Sequence, residues 1–542
     1  MSAIRALRAL FARPNPGPTP SVVAMSWALV LGAWFVPGTA ATAWAEKTPA
    51  ATPASEPATE SGPEVLRELW YRVDLDGQSA GWTVTRELQE GDERISEMEL
   101  HLELSRGGVA QTMEMSNRFV ETPDHRPLRA SARQKLGPAP METAFRFATD
   151  GVWIRGATGE RRVDGPSGPW LTPMAAQEQV AEWARKVAED DGAAGRGAGD
   201  AAVWFDTTTI DPQMGISPVT TTWTLEAPRE VIETGFGPQT ASRWSQSQSL
   251  APQLVTRVHL SEDGEVLRTA TAMMGVELVS TLTRRDIALG HEGAPEMLLQ
   301  SLLLLDEPIP EPRSLRRAVY RLSMGDGEAV VPLPSLGPQR VERLDDGGLR
   351  VVLDLDAKPV PGRPPGDEHL APSAFLDSAD PDVLALHRKA VEGLDGAAPA
   401  ARAEALRRRV HRHLTAKGLD SMLATAGDVA RSRSGDCTEH AVLLGALLRA
   451  DGIPSRVATG LVYVDRMAGK RHLFGYHMWT QGWLGDRWVD LDATLPQGAP
   501  YDAAHILFET ATLADDGSAL AEMAGITPLI GRLQLEVLAL GD

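Results

Sequence analysis

The feature that most limits how this chain can fold is a change in the period of its apolar residues. Up to about residue 290 they recur at every second position, and from Asp380 they recur at every third or fourth. Alternation at period two builds strands with one buried face, whereas the wider spacing builds helices with a buried stripe. Leu69 to Leu75 alternates and runs into a Gly77-Gln78 turn, and Met98, Leu100, Leu102 and Leu104 fall on one face. Similar segments recur at 145–147, 152–154, 221–225, 255–260, 266–272 and 276–282, with turn residues such as Asp263-Gly264 between them. A mostly β N-terminal domain of half-buried antiparallel strands is therefore expected over 64–300. The Gly/Ala/Asp stretch from Glu189 to Gly199 has no period and reads as a solvated loop.

Leu302 to Leu305 and the Pro-spaced run from Asp306 to Pro312 mark a boundary. A small β domain is expected next, at 313–365, with strands at 318–323, 330–333 and 349–355 and a closing Pro-rich linker from Pro359. Val383, Leu386 and Ala390, then Leu406, Val410 and Leu414, carry the helical spacing that opens a unit over 380–510. Within it we expect a helix at 437–450, a strand at 456–464, and paired strands at 477–484 and 488–492. The 511–542 extension holds a short helix at 519–524 and a strand at 533–540, expected to pack on the preceding unit. The whole chain is thus expected to be α+β, and its 542 residues are too many for a single core.

The N-terminus has the pattern of an export signal. Arg5, Arg8 and Arg13 precede an apolar stretch from Val22 to Val36, and Ala43-Trp44-Ala45 is a small-x-small cleavage site. The apolar core is short for a bilayer span, although an uncleaved anchor remains the alternative. A Thr/Pro/Ala/Ser/Glu linker fills 46–63. These features predict a periplasmic or secreted protein with no stable membrane span after cleavage. The formal charge of −20 becomes more negative once the signal leaves, which opposes binding to nucleic acid.

Exported chains often carry disulfides, but this one has a single cysteine and can form none internally. The lone thiol, Cys437, lies in Ser434-Gly435-Asp436-Cys437-Thr438-Glu439-His440. Asp436 with Glu439 three residues on has the form of a capping box, which makes Cys437 the first helical residue. Free backbone N–H groups and the positive end of the helix dipole favour a thiolate there. If Gly485-Asp486 is a two-residue hairpin loop, Leu484 pairs with Arg487, Gln481 with Asp490 and Trp479 with Asp492. His477 then becomes a diagonal neighbour of Asp492. The carboxylate would orient the imidazole, and the imidazole would take the Cys437 proton and return one to a leaving amine. Asp490 is the rival orienter and His440, one turn from Cys437, the rival base.

With these residues in view, the chain resembles the transglutaminase-like superfamily, the branch of papain-like cysteine enzymes with Cys, His and Asp in that order. The resemblance covers about 380–510 and rests on four segments: Gly435 to Ala441, Leu448 to Arg456, His477-Met478-Trp479 and Trp488 to Thr494. It implies a papain-like core of helices packed on an antiparallel sheet, with catalytic Cys437, His477 and Asp492. Met478 and Ala493 depart from the residues more usual in the family, and neither is a reacting group. The resemblance supplies no position for a second oxyanion donor.

Other polar features have plainer readings. Arg407-Arg408-Arg409 reads as a solvated helix face, and Trp479, Trp483 and Trp488 read as a core aromatic cluster ahead of a substrate-binding wall. Asp190-Asp191 and Asp345-Asp346 fall in turns without ligand spacing, and no loop has the alternating oxygens of an EF-hand. No metal or cofactor is expected. The expected activity is amide-bond chemistry through a Cys437 thioester on a protein or peptide substrate. A peptidase or amidase is favoured over a cross-linking transglutaminase, because an exported enzyme meets water at very high concentration and no amine site is legible. A binding or assembly module with a relict triad is the alternative from another class.

Overall fold

The computed structural model describes residues 63–541 except 107–108, 136–139, 158, 190–202, 274–275, 291–292, 297–301, 326, 417–422, 468, 497–500 and 515–528. The expected export signal and almost all of the expected linker lie outside the described residues, as do most of the 189–199 loop and the helix expected at 519–524.

Fourteen antiparallel strands between Glu64 and Thr283 form one sheet. Its order is a meander in each direction from the central pair, Glu64–Leu75 beside Val276–Thr283. Met98, Leu100, Leu102 and Leu104 are buried while the residues between them face outward, as the alternation requires. The sequence reading did not mark six of these strands, among them Val109–Glu121, Pro127–Lys135 and Gly237–Gln248, and it missed the helix Pro173–Glu189. Val180, Ala184 and Val187 recur at helical spacing and share a core with Tyr71, Leu100, Trp223 and Trp244, so both wings of the sheet curl onto it. Burying a valine or leucine there contributes about 1.5–3 kcal/mol.

The small sheet runs Gln339–Arg343, Leu349–Asp354, Arg317–Met324, Leu533–Gly541. One expectation needs correction. Residues 330–333 are not a strand, because Pro332 cannot donate to a ladder; Val330 and Leu333 are buried in the core from irregular backbone. The strand lies instead at Gln339–Arg343, whose polar sequence hides it. The tail strand Leu533–Gly541 pairs with Arg317–Met324, and its Leu533 shares a core with Leu461, Phe474 and Ile506 of the unit at 380–510, the packing expected of it.

The third sheet carries the candidate site. Lys470–Leu484 is its long strand, with Ser455–Met467 on one side and Arg487–Leu491 and Leu303–Leu304 on the other. His505–Ala511 completes it beyond Ser455–Met467. At one end Met478, Val457 and Leu491 pack with Val442, Leu443, Ala446 and Leu447 of the helix Cys437–Ala450. At the other, Leu461, Tyr463, Phe474, Ile506 and Phe508 share a core with Tyr320, Leu322, Val351 and Leu353 of the small sheet. The protein is α+β, with large antiparallel sheets preceding the helix-and-sheet unit.

Candidate active site

Cys437 opens the helix Cys437–Ala450, as its sequence predicts. The Asp436 carboxylate accepts from the Thr438 N–H at 2.9 Å, and the Glu439 carboxylate accepts from the Asp436 N–H at 2.9 Å. Gly435 makes this turn possible. Its φ is +154°, and a Cβ there would lie 2.3 Å from the Glu439 Cβ. The Thr480 hydroxyl donates to the Ala441 carbonyl at 2.9 Å, tying the helix to the strand that bears the histidine.

The hairpin register is the one counted from its loop. Leu484 pairs with Arg487, Trp483 with Trp488, Gln481 with Asp490 and Thr480 with Leu491, and the strand then ends one residue before Asp492. His477 Nε2 donates to Asp492 Oδ2 at 2.8 Å, and the Cys437 side chain lies close enough to the imidazole to help raise its pKa. The three residues singled out in the sequence therefore meet in space. Asp492 Oδ1 accepts from the N–H and the hydroxyl of Thr494, each at 2.7 Å. Burial works against a charged His477, but the Asp492 carboxylate, helped by the nearby Cys437 side chain, prevails and raises its pKa to about 10. Burial likewise opposes ionisation of Asp492, and its two imidazole neighbours hold it well below the ordinary carboxylate range.

The rivals are engaged elsewhere. Asp490 accepts from Trp479 Nε1 at 2.8 Å and from Gln481 Nε2 at 2.7 Å, and burial raises its pKa. His440 Nδ1 bonds the Asp436 carbonyl at 2.5 Å, and burial lowers its pKa. Trp479 and Trp488 are buried, Trp488 against Trp483 in an edge-on pair, which agrees with the core reading. Asp346 pairs with Arg321 and caps its own turn at the Gly348 N–H.

One plain reading fails. Arg407 is fully buried, not solvated. It donates to the carbonyls of Asp492 and Leu495, both at 3.0 Å, and pairs with Glu404 at 2.7 Å. Together with His411, whose Nδ1 donates to the Ala493 carbonyl at 3.0 Å, it holds the loop that presents Asp492. The sequence reading also missed His505, whose Nε2 lies 3.2 Å from Asp492 Oδ2. Nothing local marks His505, because its approach depends on the pairing of His505–Ala511 with Ser455–Met467.

His477, Asp492 and His505 bring ligand-type atoms within 4.8 Å of one another. Hydrogen bonds account for that proximity, since both imidazoles reach one shared carboxylate oxygen.

The family model described as transglutaminase-like superfamily matches residues 387–493. No curated protein matches the chain significantly. Among solved structures, a candidate cysteine protease of Cytophaga hutchinsonii is 14% identical, with 42% of this chain and 86% of that chain covered and a TM-score of 0.24. A β-barrel-like protein of domain of unknown function DUF1849 from Brucella abortus is 10% identical, covering 40% and 95% of the two chains at a TM-score of 0.30. The periplasmic domain of TgpA from Pseudomonas aeruginosa, bound to ethylmercury, is 21% identical over 36% and 88% at a TM-score of 0.24. No helix among the described residues is long and apolar enough to cross a membrane. The stretch 387–493, which includes Cys437, His477 and Asp492, is thus similar to the core domain of the transglutaminase-like superfamily.

Proposed function

We propose that this protein is an exported cysteine-dependent acyl-transfer enzyme that cleaves amide bonds of a protein or peptide substrate. The observation that carries the reading is the imidazole of His477, bonded to Asp492 and close enough to the Cys437 side chain for that group to raise its pKa. Asp492 fixes which ring nitrogen faces the sulfur. His477 takes the thiol proton, and the Cys437 thiolate attacks the carbonyl carbon. The Cys437 N–H, at the first turn of its helix, has no carbonyl one turn earlier to bond and is suited to stabilise the oxyanion. Collapse of the tetrahedral intermediate breaks the C–N bond as His477 protonates the departing nitrogen, leaving a thioester. Water, giving a proton to His477, then attacks the thioester and releases the acid and the thiolate.

Export is supported by the signal pattern at the start of the chain, and hydrolysis by the abundance of water as acceptor. The full chain would be treated with a peptide thioester in heavy-oxygen water containing a tagged primary amine. The proposal expects an acyl adduct on Cys437, absent from Cys437→Ala, and heavy oxygen in the released acid. Amine incorporation in preference to water would overturn the hydrolytic assignment in favour of cross-linking. Absence of any Cys437 adduct would overturn the enzyme reading.

A further inference from the structure

We infer that His505 is held as a doubly protonated imidazolium that clamps Asp492, and is thereby a positioning residue for the Cys437–His477–Asp492 site. The functional part of this inference rests on the reading given above for those three residues. His505, Asp492 and Asp502 are all buried, with side-chain exposures of 0%, 1% and 1%. His505 Nε2 lies 3.2 Å from Asp492 Oδ2, and its Nδ1 lies 2.9 Å from Asp502 Oδ1. An ionised carboxylate offers only acceptors, so both ring nitrogens must donate, and a neutral imidazole has one N–H. A neutral His505 would set a bare nitrogen lone pair against a carboxylate oxygen where no solvent screens the repulsion.

The neighbouring charges agree. Asp502 Oδ1 also accepts from the Ala504 N–H, and its Oδ2 faces Arg313 Nη1 at 2.8 Å, an ion-pair contact whose angle is poor for a hydrogen bond. Signs therefore alternate from Arg313 through Asp502, His505 and Asp492 to His477. The other groups packed on His505 are the Tyr501 ring at 4.6 Å, the Trp479 ring at 5.6 Å and the His477 ring at 5.8 Å, with Asp490 adding a further negative charge nearby. Tyr501 is kept neutral by burial. Burial opposes a charged His505, and its bonds to Asp492 and Asp502 overcome that opposition and raise its pKa.

Two consequences follow for the site. With Oδ1 taken by Thr494 and Oδ2 shared by two imidazoles, the Asp492 carboxylate cannot rotate away from His477. A fixed cation 5.8 Å from His477 also opposes a second positive charge there, so it tempers the hold of Asp492 on the proton that His477 must give up.

The test is nitrogen NMR of the full chain with isotope-labelled histidine, recorded from about pH 6 to 9, the span in which an ordinary imidazole near 6.5 loses its charge. His505 would be assigned by its contact with the Tyr501 ring and by loss of its signals in His505→Gln. The inference expects two protonated ring nitrogens on His505 throughout, and the same pair in Cys437→Ala, whose chemistry is abolished. An unprotonated His505 nitrogen at neutral pH would overturn it whatever the activity. In Asp502→Asn the charge requirement is gone, and His505 should titrate within that range; a His505 signal still fully protonated there would contradict the two-carboxylate account. For the positioning role, His505→Gln is expected to slow acylation of Cys437 about tenfold or more, the size of one lost charge-assisted hydrogen bond, and to shift the His477 ring signals. Unchanged acylation and unchanged His477 signals in a folded variant would overturn that role, while failure of acylation in the wild type would count against the enzyme reading alone.

Discussion

At the scale of single residues, the site depends on buried charge that is fully paired. Arg407 is the clearest case, because it serves two backbone carbonyls beside Asp492 that have no access to water. Arg407→Met keeps most of the volume and strands both carbonyls, so it should cost about 3 kcal/mol by urea unfolding and slow Cys437 acylation as the Asp492 loop loosens. Titration makes a second prediction. The raised pKa of His477 stabilises the fold fully below about pH 6.5, and that contribution is lost as pH rises through about 10. The depressed pKa of Asp492 works in the other direction: its contribution is full above about pH 4 and is lost as pH falls. The stability margin of wild type over Asp492→Asn should therefore be widest between about pH 5 and 7 and shrink on either side, as read by urea midpoints across pH.

At the scale of elements, what was legible in the sequence was whatever short-range rules govern. The helix start at Cys437 follows from Asp436 and Glu439, and the hairpin register follows from a two-residue loop. Elements whose signal is tertiary were not legible. Gln339–Arg343 is a polar strand, and its Gln339 side chain does the work of a neighbouring strand. The amide donates to the Leu507 carbonyl at 2.7 Å and accepts from the Leu507 N–H at 2.8 Å, closing the edge of the sheet that carries the candidate site. No local rule would find a glutamine bonded 168 positions away. Gln339→Ala leaves two buried backbone groups of Leu507 unpaired and should cost about 2–4 kcal/mol in urea unfolding, with Gln339→Glu no rescue because it cannot donate. His505 and Arg407 belong to the same class, since their partners come from strands and loops far along the chain.

At the scale of the molecule, the unit at 380–510 buries only part of its own core. Leu461, Tyr463, Phe474 and Phe508 are covered by residues of the small sheet, one strand of which, Leu533–Gly541, comes from the far end of the chain. Arg313 and Tyr320 further anchor the 502–503 segment, Arg313 by its ion pair with Asp502 and the Tyr320 hydroxyl by donating to the Ala503 carbonyl at 2.9 Å. A fragment of residues 380–510 should consequently be unfolded or aggregated, whereas 302–541 should unfold in one cooperative step; circular dichroism and calorimetry on the two fragments would check this.

The most direct test of the central claim, that Cys437, His477 and Asp492 act as one unit, is the rate of Cys437 alkylation by iodoacetamide in wild type, His477→Ala, Asp492→Asn and the double variant at neutral pH. Residues that act as a unit lose most of their effect with the first substitution. Both single variants should react about tenfold or more slowly than wild type, with the double scarcely slower than His477→Ala, as expected when the thiol loses the oriented imidazole that takes its proton. Equal rates in all four proteins would mean an idle thiol and would contradict the account.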